Sequence, residues 1–77
     1  MGIAEEKTKY LQLQQEADFS LWKAREAIAA IKGEYMLLAE GKGPGPSKER
    51  LEELAALEGD AEVKYRALRD FLRAHFG

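Results

Sequence analysis

The run Gly-Lys-Gly-Pro-Gly-Pro at residues 41–46 splits this chain of 77 residues into two segments. It contains both prolines and three of the seven glycines. Neither a helix nor a strand continues through such a run, because proline lacks the amide donor and ordered glycine loses much conformational entropy. Ser47 follows the run and can cap a new helix. The run therefore predicts a loop over 41–46 between a helix over 3–40 and a helix over 47–76.

Apolar residues recur three and four apart in both segments, which is the spacing of one helix face. In the first segment this stripe is interrupted by the polar residues Lys7 and Gln14 and consists of Ile3, Tyr10, Ala17, Leu21, Ala24, Ile28, Ile31, Tyr35 and Leu38. In the second segment it is Leu51, Leu54, Ala61, Tyr65, Leu68 and Leu72, interrupted by Glu58. The spacing predicts an all-α fold: a single domain over 1–77 that forms a long antiparallel helical hairpin of coiled-coil type.

A fold at residues 43–45 predicts the register of this hairpin. It places Leu38 opposite Leu51, Ala24 opposite Tyr65 and Gln14 opposite His75. Small residues then face large ones along most of the length, as close packing requires. The same register assigns four apolar residues to the seam between the helices: Leu21, Ile28, Leu54 and Leu68.

Gly59-Asp60 leaves two interpretations of the second segment. Glycine followed by aspartate can end one helix and cap the next, which would give three helices. A lone glycine inside a helix costs only about 1 kcal/mol. Because the apolar stripe keeps its phase through Gly59, we expect one helix, with or without a kink.

The first segment also has a second apolar stripe, which we call the outer seam. Its apolar members are Phe19, Trp22, Ala29, Gly33, Met36 and Leu37, and Glu26 is the charged residue within the stripe. A two-helix hairpin cannot cover it, and Trp and Met are typical of protein interfaces. Three interpretations follow: a homodimer that completes a four-helix bundle, a surface for a foreign protein alone, or the core of the three-helix fold. The first is the leading prediction.

The chain has few residues that are candidates for catalysis. There are no cysteines, and His75 is the single histidine, near a helix end that favours a cation. The loop at 41–46 does not have the spacing of a phosphate-binding loop, and its prolines remove two amide donors. The sequence therefore predicts that the protein is not an enzyme and has no cofactor or metal site.

A basic stripe near the end of the second segment gives the alternative function. Lys64, Arg66, Arg69 and Arg73 are accompanied there by Asp70 alone, so that phosphates or an acidic partner could bind. The whole chain has 12 basic and 14 acidic residues and a net charge of -2, which argues against nucleic acid as the main partner. The leading prediction is a protein-binding helical protein: an assembly factor, a small chaperone or adaptor, or an inhibitor.

The sequence also bears on location. It has no apolar run of about 18 residues, the minimum for a membrane-spanning helix, and shows no signal-peptide pattern. We therefore expect a cytoplasmic protein without a membrane span.

Overall fold

Two long helices form the molecule. The computed structural model describes residues 3–76, with α1 at Ile3–Ala39 and α2 at Lys48–Phe76. The helices pack side by side as a hairpin with principal extents of 60 × 17 × 16 Å. The radius of gyration is 17.5 Å, whereas a compact domain of this length would have about 11.5 Å. The predicted all-α hairpin is confirmed, and it is a thin rod.

α2 is continuous through Gly59. The glycine is exposed, and Asp60 continues the helix instead of capping a new one. The three-helix alternative therefore does not describe this structure. The outer seam is not covered by a third helix.

The end of α1 is set by a glycine with a left-handed backbone. Gly41 has a φ of 74°. Its amide donates to the Leu38 carbonyl at 2.9 Å, and the Lys42 amide donates to the Leu37 carbonyl at 2.8 Å. This pair of bonds is the Schellman motif, which satisfies carbonyls that a helix end leaves free. The chain thus turns as soon as α1 ends.

The rest of the loop runs back along the last turn of α1. A Cβ built on Gly45, whose φ is 86°, would lie 2.9 Å from the Leu38 Cδ2. A Cβ on Gly43 would lie 3.5 Å from the Leu37 Cβ. Ser47 then caps α2, since its Oγ accepts a hydrogen bond of 3.1 Å from the Arg50 amide.

This path of the loop changes the register of the hairpin. Arg50 bonds Glu34, and Tyr65 bonds Asp18 instead of lying opposite Ala24. Relative to the predicted register, α2 is displaced along α1 by about five or six residues at these two pairs, or roughly one and a half turns. The prediction was wrong because the chain reverses at Gly41, before the expected midpoint at 43–45.

The seam between the helices is also rotated relative to the prediction. The buried residues in the described chain are small: Ala17, Ser20, Ala24, Ala27 and Ala61. Four residues assigned to the predicted stripe are exposed instead: Ile28, Tyr35, Leu38 and Leu51. Leu21, Leu54 and Leu68 are only half-buried. α1 turns the positions Ser20 and Ala27 towards α2 because small side chains allow the two backbones to approach closely.

α2 meets this rotated seam with Leu57, which is half-buried, while Glu58 is exposed. The apparent interruption at Glu58 therefore lies outside the seam. The seam of α2 instead follows Leu54, Leu57 and Ala61, which are three or four residues apart, and Leu68, which lies seven residues further on.

Candidate protein-interaction surface

The hairpin leaves most of its large apolar side chains in solvent. Among the side chains that the structure describes, no large one is fully buried. The exposed large ones are Leu11, Phe19, Trp22, Ile28, Tyr35, Met36, Leu37, Leu38, Leu51, Val63 and Phe76. The accessible surface is 6004 Å², whereas a compact monomer of 8.7 kDa would expose about 4,700 Å². The surface thus contains an unusual amount of apolar area that another molecule can cover.

The outer seam lies on an exposed side of α1, and its Trp22 edge borders α2. Phe19 and Trp22 are 58% and 56% exposed, and their rings stack with centroids 5.9 Å apart at an angle of 15°. The Lys23 Nζ lies 4.9 Å from the centre of the Phe19 ring. The two stacked rings therefore form one continuous apolar surface, and the contact with Lys23 helps to hold the Phe19 ring in place.

The rest of the outer seam continues towards the loop. Met36 and Leu37 are exposed, and so are Ala29 and Gly33. A Cβ built on Gly33 would meet no other atom of the described chain within 4 Å. The seam is therefore bulky at Trp22, low at Ala29 and Gly33, and bulky again at Met36, which gives a single-helix surface with a shallow dip.

A groove of about 310 Å³ runs beside Trp22, between the two helices. Trp22, Lys23 and Ala30 line it on α1, and Arg50, Glu53 and Leu57 line it on α2. The Arg50 Nε lies 2.8 Å from the Glu34 Oε1, and its Nη1 lies 3.7 Å from the Glu53 Oε2. These ion pairs make this side of the hairpin charged.

The opposite side of the hairpin carries an apolar surface that the sequence assigned to the interior. We call it the lateral face. Its residues are Leu21, Ile28 and Tyr35 on α1, and Leu51, Tyr65 and Leu72 on α2. Ile28, Tyr35 and Leu51 are 48%, 60% and 51% exposed. Sequence periodicity identified these residues as one apolar stripe on each helix but assigned them to the seam, whereas they lie beside it.

A tyrosine bridges the two helices at the lateral face. The Tyr65 hydroxyl donates a hydrogen bond of 2.8 Å to the Asp18 Oδ1. This bond, followed by desolvation and the negative charge of Asp18, raises the pKa of Tyr65, and Arg25 opposes the rise. The bond also places Tyr65 of α2 on the same side of the hairpin as Leu21 of α1, because Asp18 lies one turn before Leu21.

A second cavity, of about 360 Å³, lies at the open end of the hairpin. Its apolar lining comes from Tyr10, Phe71, Leu72 and Phe76. The His75 Nδ1 lies 3.6 Å from the Glu6 Oε1 at its rim, not beside Gln14 as the predicted register required. The sequence does not predict this cavity, because the cavity forms only when the observed register brings these residues of α1 and α2 together.

The basic stripe is only partly brought together by the structure. Arg66, Arg69 and Arg73 are exposed on α2, whereas Lys64 is half-buried near the seam residue Ala61. The Arg66 Nη2 pairs with the Glu62 Oε1 at 3.1 Å, within the same helix. The stripe is thus shorter than the sequence suggested, and one of its charges is partly neutralised.

Residues 3–76 contain neither a grouped set of metal ligands nor a membrane-spanning stretch. Within that range, no three His, Cys, Asp or Glu side chains are grouped so that they could hold a metal ion. Neither helix there contains a stretch apolar enough to cross a bilayer. In comparisons with known proteins, no family model, curated protein or solved structure matches this chain.

Proposed function

We propose that this chain is a non-enzymatic helical interaction protein that binds another protein through the outer seam and also self-associates into a homodimer, a four-helix bundle. Its cellular role would be that of an assembly factor, a small chaperone or adaptor, or an inhibitor. One observation carries the proposal: the buried residues of the seam are alanine and serine, whereas many of the large apolar residues are exposed at the surface.

The chemistry of the outer seam supports a protein partner with an apolar helix. Stacked Phe19 and Trp22 offer a large ordered area, and aromatic residues of this kind often dominate binding energy at interfaces. Ala29 and Gly33 allow a second helix to approach closely, while Met36 can adapt its shape to the partner. The expected partner surface is therefore an amphipathic helix, bound mainly by apolar contact.

The basic stripe supports the nucleic-acid alternative less well. Arg66 is already paired with Glu62, and the chain has a net charge of -2. Phosphate contacts would also make binding fall steeply with salt. An apolar interface at the outer seam would respond little to salt, so salt dependence separates the two functions.

Site-specific photo-crosslinking tests the proposal. A benzophenone amino acid replaces Phe19 in the outer seam, and the control places it at Val63, which is 61% exposed on α2. In cells that make the protein, we expect one discrete protein adduct from position 19 and not from position 63. The identified partner should then bind the Trp22→Ala variant at least tenfold more weakly, with little change between low and high salt.

Crosslinking to nucleic acid, or equal adducts from both positions, would contradict the proposal. Unchanged affinity of the Trp22→Ala variant for the identified partner would also contradict it, because the outer seam would then not be the binding surface.

A further inference from the structure

We propose that the lateral face, and not the outer seam, is where a second copy of this chain docks, which leaves the outer seam free for the foreign partner. This inference rests on one part of the proposed function, the self-association into a homodimer. It assigns the two apolar surfaces to two different occupants, and it gives residues that the sequence placed inside the hairpin a role between copies.

The width of the lateral face favours a second hairpin as the occupant. Leu21, Ile28 and Tyr35 recur every seven residues on α1, and Leu51, Tyr65 and Leu72 follow the same heptad row on α2. The bond between Tyr65 and Asp18 places the two rows on the same side of the molecule. Two parallel rows make a surface two helices wide, and two such layers form a four-helix bundle.

A foreign helix would fit the outer seam better than the lateral face. The outer seam belongs to α1 alone, so it offers one row of apolar residues that a single amphipathic helix can cover. On the lateral face a single helix would sit in the groove between the rows and leave their outer edges in water.

The distribution of charge points the same way. In a two-fold dimer each surface meets its own copy, so a surface with few charges avoids burying unpaired charges and avoids repulsion near the two-fold axis. Within the two heptad rows from Leu21 to Tyr35 and from Leu51 to Leu72, Glu58 is the single charged residue. The other side of the hairpin carries Lys23, Arg50 and Glu53 around the groove beside Trp22. Asp18 and Arg25 lie beside Tyr65 at the edge of the lateral face, but their charges are opposite, so this face can meet its own copy with little repulsion.

The area to be covered also matches a dimer. The exposed surface exceeds that of a compact monomer by roughly 1,300 Å². A standard interface buries about 800 Å² on each partner, and stable homodimers bury more. The excess over the whole molecule is thus of the size that a homodimer interface would remove from each chain.

Sedimentation of the purified full chain tests the inference. Ile28→Glu places a charge in the lateral face, and the matched control Met36→Glu places the same charge in the outer seam, where the exposure is 50% against 48% for Ile28. We expect the wild type to dimerise at micromolar concentration. Ile28→Glu should weaken dimerisation at least tenfold with helicity retained, and Met36→Glu should change it less than threefold.

Glu58→Leu gives a measurement of opposite sign, which keeps the inference testable if Ile28→Glu does not fold. Removal of the charge between Leu51 and Tyr65 should tighten the dimer at least threefold. A wild type that stays monomeric, a dimer lost with Met36→Glu but kept with Ile28→Glu, or a dimer unaffected by Glu58→Leu would each overturn the inference.

Failure of this inference is distinguishable from failure of the proposed function. A wild type that stays monomeric would contradict both the inference and the proposed homodimer, whereas a dimer that is lost with Met36→Glu and kept with Ile28→Glu would contradict the inference alone. Partner binding through the outer seam is read separately, from crosslinking at position 19. If both proposals hold, the monomeric Ile28→Glu variant still crosslinks to the foreign partner through the outer seam.

Discussion

The hydroxyl of Ser20 on α1 donates a hydrogen bond of 2.8 Å to the Asp60 Oδ2 on α2. Ser20 is 3% exposed and is the one polar residue of the buried set in the described chain. Asp60 follows Gly59, where the sequence allowed a helix to end. The carboxylate instead links the two helices, and so helps to fix both the rotation and the register of the hairpin.

Loss of this link should destabilise the hairpin measurably. We expect Ser20→Ala to lower the free energy of unfolding by about 1–2 kcal/mol, since the acceptor is a carboxylate. The measurement is urea unfolding at one fixed protein concentration for Ser20→Ala, Asp60→Ala and the double variant. The double variant should lose less than the sum of the single losses, and strict additivity would show that the bond does not contribute.

The small residues of the seam should not tolerate enlargement. Ala24 is buried between the helices, so Ala24→Leu should force them apart and cost about 1–3 kcal/mol. Ala29→Leu is the matched control on the exposed side of α1, and it should change stability by less than about 0.5 kcal/mol. Thermal melting of both variants checks this, and equal losses would mean that the seam is not where the structure places it.

Two glycines should respond in opposite directions to alanine. Gly45 has a φ of 86°, which disfavours any Cβ, so Gly45→Ala should destabilise by about 1–2 kcal/mol. Gly59 lies in continuous helix with no atom of the described chain within 4 Å of a built Cβ, so Gly59→Ala should stabilise by about 0.5–1 kcal/mol. Denaturant unfolding of both variants is the measurement, and a loss with Gly59→Ala would indicate a break in α2.

Tyr65 should ionise later than an ordinary tyrosine. Its neutral hydroxyl donates to Asp18, so its pKa is raised above the usual 10.0. A raised pKa in the folded state means that the stabilisation is fully present below pH 10 and is lost as the pH rises through the folded pKa. An ultraviolet absorbance titration, with Tyr65→Phe to assign the signal, measures this pKa. Asp18→Ala should move it back towards the ordinary value, and an unchanged pKa in that variant would contradict the observed bond.

The secondary structure could be read from the sequence because its signals are local. The glycine and proline run at 41–46 stops any helix, Ser47 can cap the next one, and apolar spacing of three and four needs only the geometry of a single helix. The outer seam was found by the same means, because a second stripe on one helix exceeds what one neighbour can cover. Which molecule covers it stays a prediction.

The rotation and the register of the helices were decided by tertiary contacts alone. On α1 the rows through Leu21, Ile28 and Tyr35 and through Ser20, Ala27 and Glu34 differ by one residue, and both satisfy helical spacing. Hydrophobicity favours the first row, but close approach through alanine, the bond from Ser20 to Asp60 and the pair of Arg50 with Glu34 select the second. These are interactions between residues far apart in the chain, which depend on where the loop reverses. The seam keeps Ala17 and Ala24, as the spacing predicts, but exchanges the row of Leu21 for the row of Ser20. This small rotation moves large apolar side chains from the seam to the surface, and this is how the lateral face arises.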